Sequence, residues 1–75
     1  MLSKLKDLLA EEMDINPELI VPEAELMNDL GFNSLELADL VLLCEEKFNI
    51  EIDDDDLREL ITVGDVVNYL ENAVN

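Results

Sequence analysis

The chain has 75 residues, of which 20 are acidic and 4 basic, with no histidine and a formal net charge of -16. Such a surface repels phosphate backbones and anionic membranes, which argues against nucleic acid and lipid headgroups and points to protein partners with basic patches. A hydrophobic content of 49% suits a folded chain rather than a disordered one, and the length allows one domain over 1–75 with one core.

Leu2, Leu5, Leu8, Leu9 and Met13 recur at helical spacing and predict a first amphipathic helix over 2–14. Asn16-Pro17 ends it. Residues 15–33 form a long connection holding Pro17, Pro22 and Gly31. Its apolar residues Leu19, Ile20, Val21, Leu26, Met27 and Leu30 are expected to be buried, and a connection this long often carries function. Gly31 is expected to make a turn closed to other residues.

The second helix has the clearest start. Asn33 suits the N-cap, Glu36 completes a capping box, and Phe32 and Leu37 hold the two positions of a hydrophobic staple. Ser34 is then the first helical residue, and its hydroxyl is not needed as a cap. The helix should run to Lys47 or Phe48 and leave through Asn49. A short helix over 55–60 follows around Leu57, Leu60 and Ile61. Thr62 and Asp65 form a second cap signature, opening a last helix through Val66, Val67, Leu70 and Val74, with Tyr69 in the core. No run alternates long enough to build a sheet. The expected fold class is all-α, a small bundle of three main helices plus one short helix.

Along the second helix, Leu37, Val41, Cys44 and Phe48 form one apolar stripe and Leu35, Ala38 and Leu42 another. Either the helix is buried all round, or the second stripe stays exposed among carboxylates as a docking face for a basic groove. Cys44 reads as a small core hydrophobe and not as a redox thiol. The run Asp53 to Asp56 fails the pattern of a calcium loop, since Arg58 and Gly64 stand where glycine and glutamate are needed. These acids fit a helix start, and no metal site is expected. A serine nucleophile needs a neighbouring base; histidine is absent and the four basic residues are scattered, so no catalytic residue is expected and the chain is not read as an enzyme. Ser34 is either an ordinary first-turn serine or a hydroxyl presented for modification by another protein.

Four motifs in order resemble the acyl carrier protein family over essentially the whole chain. They are Asp29-Leu30-Gly31-Phe32-Asn33-Ser34-Leu35, Glu45-Glu46-Lys47-Phe48, Asn49-Ile50-Glu51-Ile52-Asp53 and Thr62-Val63-Gly64-Asp65. The resemblance implies 4′-phosphopantetheine attached at Ser34, transferred from coenzyme A by a phosphopantetheinyl transferase. Its thiol would carry acyl intermediates as thioesters to enzymes of fatty acid or related lipid biosynthesis. It also implies docking of acyl-processing enzymes through Leu35, Glu36, Ala38, Asp39, Leu42, Glu45 and Glu46. Asn33 departs from the aspartate usual before the serine, keeping the cap but losing a charge that the transferase is expected to read. Two other readings stay open: a polyketide, aminoacyl or peptidyl carrier of a specialised pathway, and an acidic helical adaptor that is never modified. A cytoplasmic monomer is expected. The single Cys44 has no internal partner, and the longest apolar run, Leu40 to Cys44, is far short of the roughly 20 residues that span a bilayer.

Overall fold

In chain order the helices are α1 (Leu2–Glu12), α2 (Ser34–Phe48), α3 (Asp54–Leu57) and α4 (Val63–Ala73), with a 3-10 turn at Pro17–Leu19 between α1 and α2. They come from a computed structural model that describes residues 1–73. Val74, expected in the last helix, lies outside the described residues. No described residue is in a strand, and one antiparallel bridge pairs Glu25 with Thr62.

α1 stops at Glu12, short of the expected 14, because the backbone turns there. Met13 and Ile15 both donate to the Leu9 carbonyl, and Asp14 takes a left-handed φ of 56°. Asp is among the few residues that tolerate that conformation. α2 ends in the same way, with Asn49 left-handed at φ 55° and its N–H on the Glu45 carbonyl. α3 is shorter than the expected 55–60. Its four residues are followed by single turns, Glu59 N–H to Asp56 O and Leu60 N–H to Leu57 O. Adjacent aspartates repel one another, and only Leu57 and Leu60 offer apolar surface to hold the segment down.

One core joins Leu5, Leu8 and Leu9 of α1, Leu40 and Cys44 of α2, and Val63, Val66 and Leu70 of α4. The long connection supplies Ile20, Ala24, Leu26 and Phe32 to the same cluster. It therefore packs across the helices as expected, but with a different set of side chains. Leu19, Val21 and Met27 are 50%, 42% and 50% exposed, whereas Ile20 and Leu26 are buried and Leu30 is partly so. The connection is a series of tight turns, with Leu19 in the 3-10 turn and Met27 between the paired Glu25 and Asp29, and each turn has one side to the core and one to solvent, so Ile20, Ala24 and Leu26 lie inward and Leu19, Val21 and Met27 outward. Tyr69 is also not fully interior. Its ring packs against the core, while its hydroxyl donates to Asp56 Oδ2 at 2.8 Å, tying α4 to α3.

Candidate functional site: the start of α2

The turn before α2 is built by local hydrogen bonds. Asp29 Oδ2 accepts the Glu25 N–H at 2.7 Å, and the Asp29 and Leu30 N–H groups both return to the Glu25 carbonyl. Gly31 follows at φ 75°, a left-handed conformation that glycine adopts without a Cβ penalty. Phe32 then drops into the core, with its N–H on the Leu26 carbonyl at 2.9 Å. The Asp-Leu-Gly stretch is thus a mechanical element that delivers the chain to Asn33.

Asn33 is the N-cap, in extended conformation, and the capping box is complete. Asn33 Oδ1 accepts the Glu36 N–H at 2.8 Å, and Glu36 Oε1 accepts the Asn33 N–H at 3.3 Å. Phe32 and Leu37, the staple pair, both join the hydrophobic cluster. Ser34 is the first residue of α2, exposed, with its hydroxyl outside the cap.

From Ser34 the helix presents two different sides. Leu40, Val41 and Cys44 are buried. Leu35 is 78% and Leu42 57% exposed, with Ala38 exposed between them. The second apolar stripe is therefore at the surface, and the helix is not buried all round. Glu36, Asp39, Leu42 and Glu46 line one surface groove, closed on its other side by Glu12 and Met13 of the α1 end. Sequence spacing had no means of bringing in Glu12 and Met13, because they lie more than twenty positions from Ser34 and reach the groove only through tertiary packing. Glu45 stands apart from the groove. It is half-buried, and its Oε2 accepts the Ile52 N–H at 2.9 Å, securing the segment after α2.

One turn beyond Ser34, Leu37 borders a second feature, an open cleft of about 420 Å³. Its apolar walls are Leu26, Met27, Leu37, Leu57, Leu60 and Ile61, and Glu25, Asn28 and Arg58 supply its polar groups. Cys44 offers no competing chemistry. Burial, with a smaller contribution from Glu45, pushes its thiol up to about 12, so the thiolate is disfavoured. Among the described residues no group of three or more acidic, histidine or cysteine side chains is placed to hold a metal ion.

Comparison with known proteins agrees with this geometry. A family described as phosphopantetheine attachment site matches residues 3–70. The acyl carrier protein of Wolinella succinogenes is 45% identical over 67 residues, covering 89% of this chain and 88% of its own. That of Thermotoga maritima is 41% identical over 72 residues, covering 96% and 89%. The chain belongs to the acyl carrier protein family. A crystal structure of an acyl carrier protein from Thermotoga maritima superposes with a TM-score of 0.83 at 25% identity, over 96% of this chain and 84% of that one. The likeness extends through all four helices of this family member, and so through the connection that sets up the start of α2.

Proposed function

We propose that this chain, as one domain over 1–75, carries acyl groups on 4′-phosphopantetheine joined to Ser34 Oγ and presents them to the enzymes of fatty acid or related lipid biosynthesis. The observation that carries the reading is Ser34 itself, an exposed hydroxyl at the first residue of α2 that its own helix does not use. The residues fit the group. The hydroxyl has open access, and the start of a 15-residue helix favours the negative charge of a phosphodiester. Esterification needs a base to take the hydroxyl proton. The chain has no histidine, and on this reading a separate transferase supplies the base while the protein acts as a carrier and not as a catalyst.

When bound, the group supplies an accessible thiol that holds acyl cargo as a thioester, chemistry from which Cys44 is barred by burial. The chain's own part is to dock and to shelter. Leu35, Ala38 and Leu42 give an apolar strip, and Glu36, Asp39 and Glu46 give the charge that steers basic partners. Glu45 contributes charge from a position already tied to Ile52. The cleft beside Leu37 offers apolar walls to cargo tethered one turn away. No helix among the described residues is long and apolar enough to cross a membrane, and a cytoplasmic monomer suits the role.

Incubation with coenzyme A and a broad-specificity transferase is expected to add the mass of one phosphopantetheinyl group, and Ser34→Ala is expected to add none. An unmodified wild-type chain overturns the reading in favour of an acidic adaptor. Leu42→Glu is expected to leave folding within about 0.5 kcal/mol of wild type, as exposed substitutions do, while weakening partner binding in titration calorimetry. Global unfolding of that variant would place the strip in the core instead.

A further inference from the structure

Arg58 is unusual in this chain by its position. Of the other basic residues, Lys4 and Lys47 lie together on the α1–α2 seam beside Phe48, at the far end of α2 from Ser34. Lys6 lies on α1. Arg58 is the one cation lining the cleft beside Leu37. The two other polar side chains there engage each other, Asn28 Nδ2 donating to Glu25 Oε1. Arg58 itself is exposed, and the backbone on either side of it is fixed. Asp56 before it receives the Tyr69 hydroxyl at 2.8 Å, and Leu60 after it is buried, with its N–H on the Leu57 carbonyl. A purely hydrocarbon occupant has no use for an arginine in the lining of an apolar cleft. A planar fork of five N–H donors matches an oxygen acceptor, and in a molecule of net charge -16 it is the group that makes an electron-rich occupant tolerable.

We infer that Arg58 tunes this cleft to acyl groups bearing an oxygen acceptor along the chain, an oxo group or a carboxylate, over plain saturated chains. The inference rests on the carrier reading above, because the occupant reaches the cleft from Ser34. The bland account of Arg58 is a cation at the α3 C-cap, favoured by the helix dipole and by Asp54 and Asp55 before it. That account predicts no dependence on cargo.

The test loads the full chain with octanoyl, β-oxooctanoyl or octanedioyl cargo from the corresponding coenzyme A thioesters. Cleavage by hydroxylamine is timed for each, relative to the same cargo on free pantetheine, and amide shifts of Leu57 and Ile61 are followed by NMR. The protection ratio of oxygenated to plain cargo is expected to fall roughly three- to tenfold in Arg58→Gln, the range of an exposed charge-assisted hydrogen bond. Arg58→Lys is expected to fall between, since a point charge replaces the fork. A response of the β-oxo cargo alone, or of the octanedioyl cargo alone, identifies which oxygen is read and supports the inference. A ratio unchanged by Arg58→Gln overturns it and leaves Arg58 a structural cation. A chain that accepts no arm overturns the carrier reading and this inference with it.

Discussion

Two helices of this protein begin with the same local device and use it for opposite purposes. α2 starts with Asn33 and Glu36 exchanging backbone hydrogen bonds, and α4 with Thr62 and Asp65 doing the same: Asp65 N–H to Thr62 Oγ1 at 3.1 Å, and Thr62 N–H to Asp65 Oδ2 at 3.0 Å. At α2 the first helical residue, Ser34, lies open. At α4 the first helical residue, Val63, is fully buried, and the long connection lies over it. Val63 N–H donates to Ala24 O and Gly64 N–H to Pro22 O, both at 2.9 Å, and a Cβ on Gly64 would stand 3.0 Å from that Pro22 oxygen. One helix start is a platform and the other an anchor for the segment that builds the platform. A capping box places a helix terminus, but it does not say whether the terminus faces water.

Exchanging the two first residues gives the sharpest test of that contrast. Val63→Ser removes buried methyls and places a hydroxyl in an apolar site, an expected loss of about 2–4 kcal/mol in urea unfolding. A domain of this size has only about 3–5 kcal/mol in reserve. Ser34→Val should stay within about 0.5 kcal/mol of wild type while abolishing attachment of the arm. Comparable losses at both positions would erase the distinction between platform and anchor.

Removing the caps should have a smaller effect that is similar at the two starts. Asn33→Ala and Thr62→Ala are each expected to cost about 1 kcal/mol. Only the second should also speed hydrogen exchange at Val63 and Gly64, since there the cap supports the docked connection.

Lowering the pH separates the two boxes further. The Thr62 backbone N–H, followed by those of Ile61 and the Thr62 hydroxyl, holds the Asp65 carboxyl below its ordinary value of 3.8. A folded-state value below the unfolded one means that the contribution is present above the unfolded value and is lost as pH falls through the folded one. The stability gap between wild type and Asp65→Asn should therefore hold from neutral pH down to the ordinary value of 3.8 and narrow as pH falls below it. A constant gap would show that the carboxylate charge is irrelevant to the anchor.

The smallest structural effect is expected at Asn33→Asp, where the two residues cap almost equally and stability should move by less than about 0.5 kcal/mol. Loading by a broad-specificity transferase should become faster, because the added charge sits on the exposed platform. Unchanged or slower loading would remove any role for that charge.

Local chemistry made much of the site readable in the sequence. Cap, staple and glycine turn around Ser34 involve residues at most a few positions apart, so their spacing was enough to place the hydroxyl outside the cap. The long connection was less readable. Six of its apolar residues looked equally fit for burial, yet Leu19, Val21 and Met27 face outward, because each tight turn of the connection gives only one side to the core. Tyr69 looked like core, and its hydroxyl instead finds Asp56, 13 positions away. Glu45 looked like its docking neighbours, and its bond to the Ile52 N–H, seven positions on, was not readable.

The sequence by itself determined the net charge, the existence of the helices, the capped starts of α2 and α4, and a serine left outside its cap, because those local features follow from interactions within one or two helical turns. Only the tertiary structure decided which helix start stays open, that Glu12 and Met13 complete the groove beside Leu42, and that Arg58 reaches the cleft next to Leu37. Those outcomes depend on how distant segments share one small core, and no short-range rule carries that information.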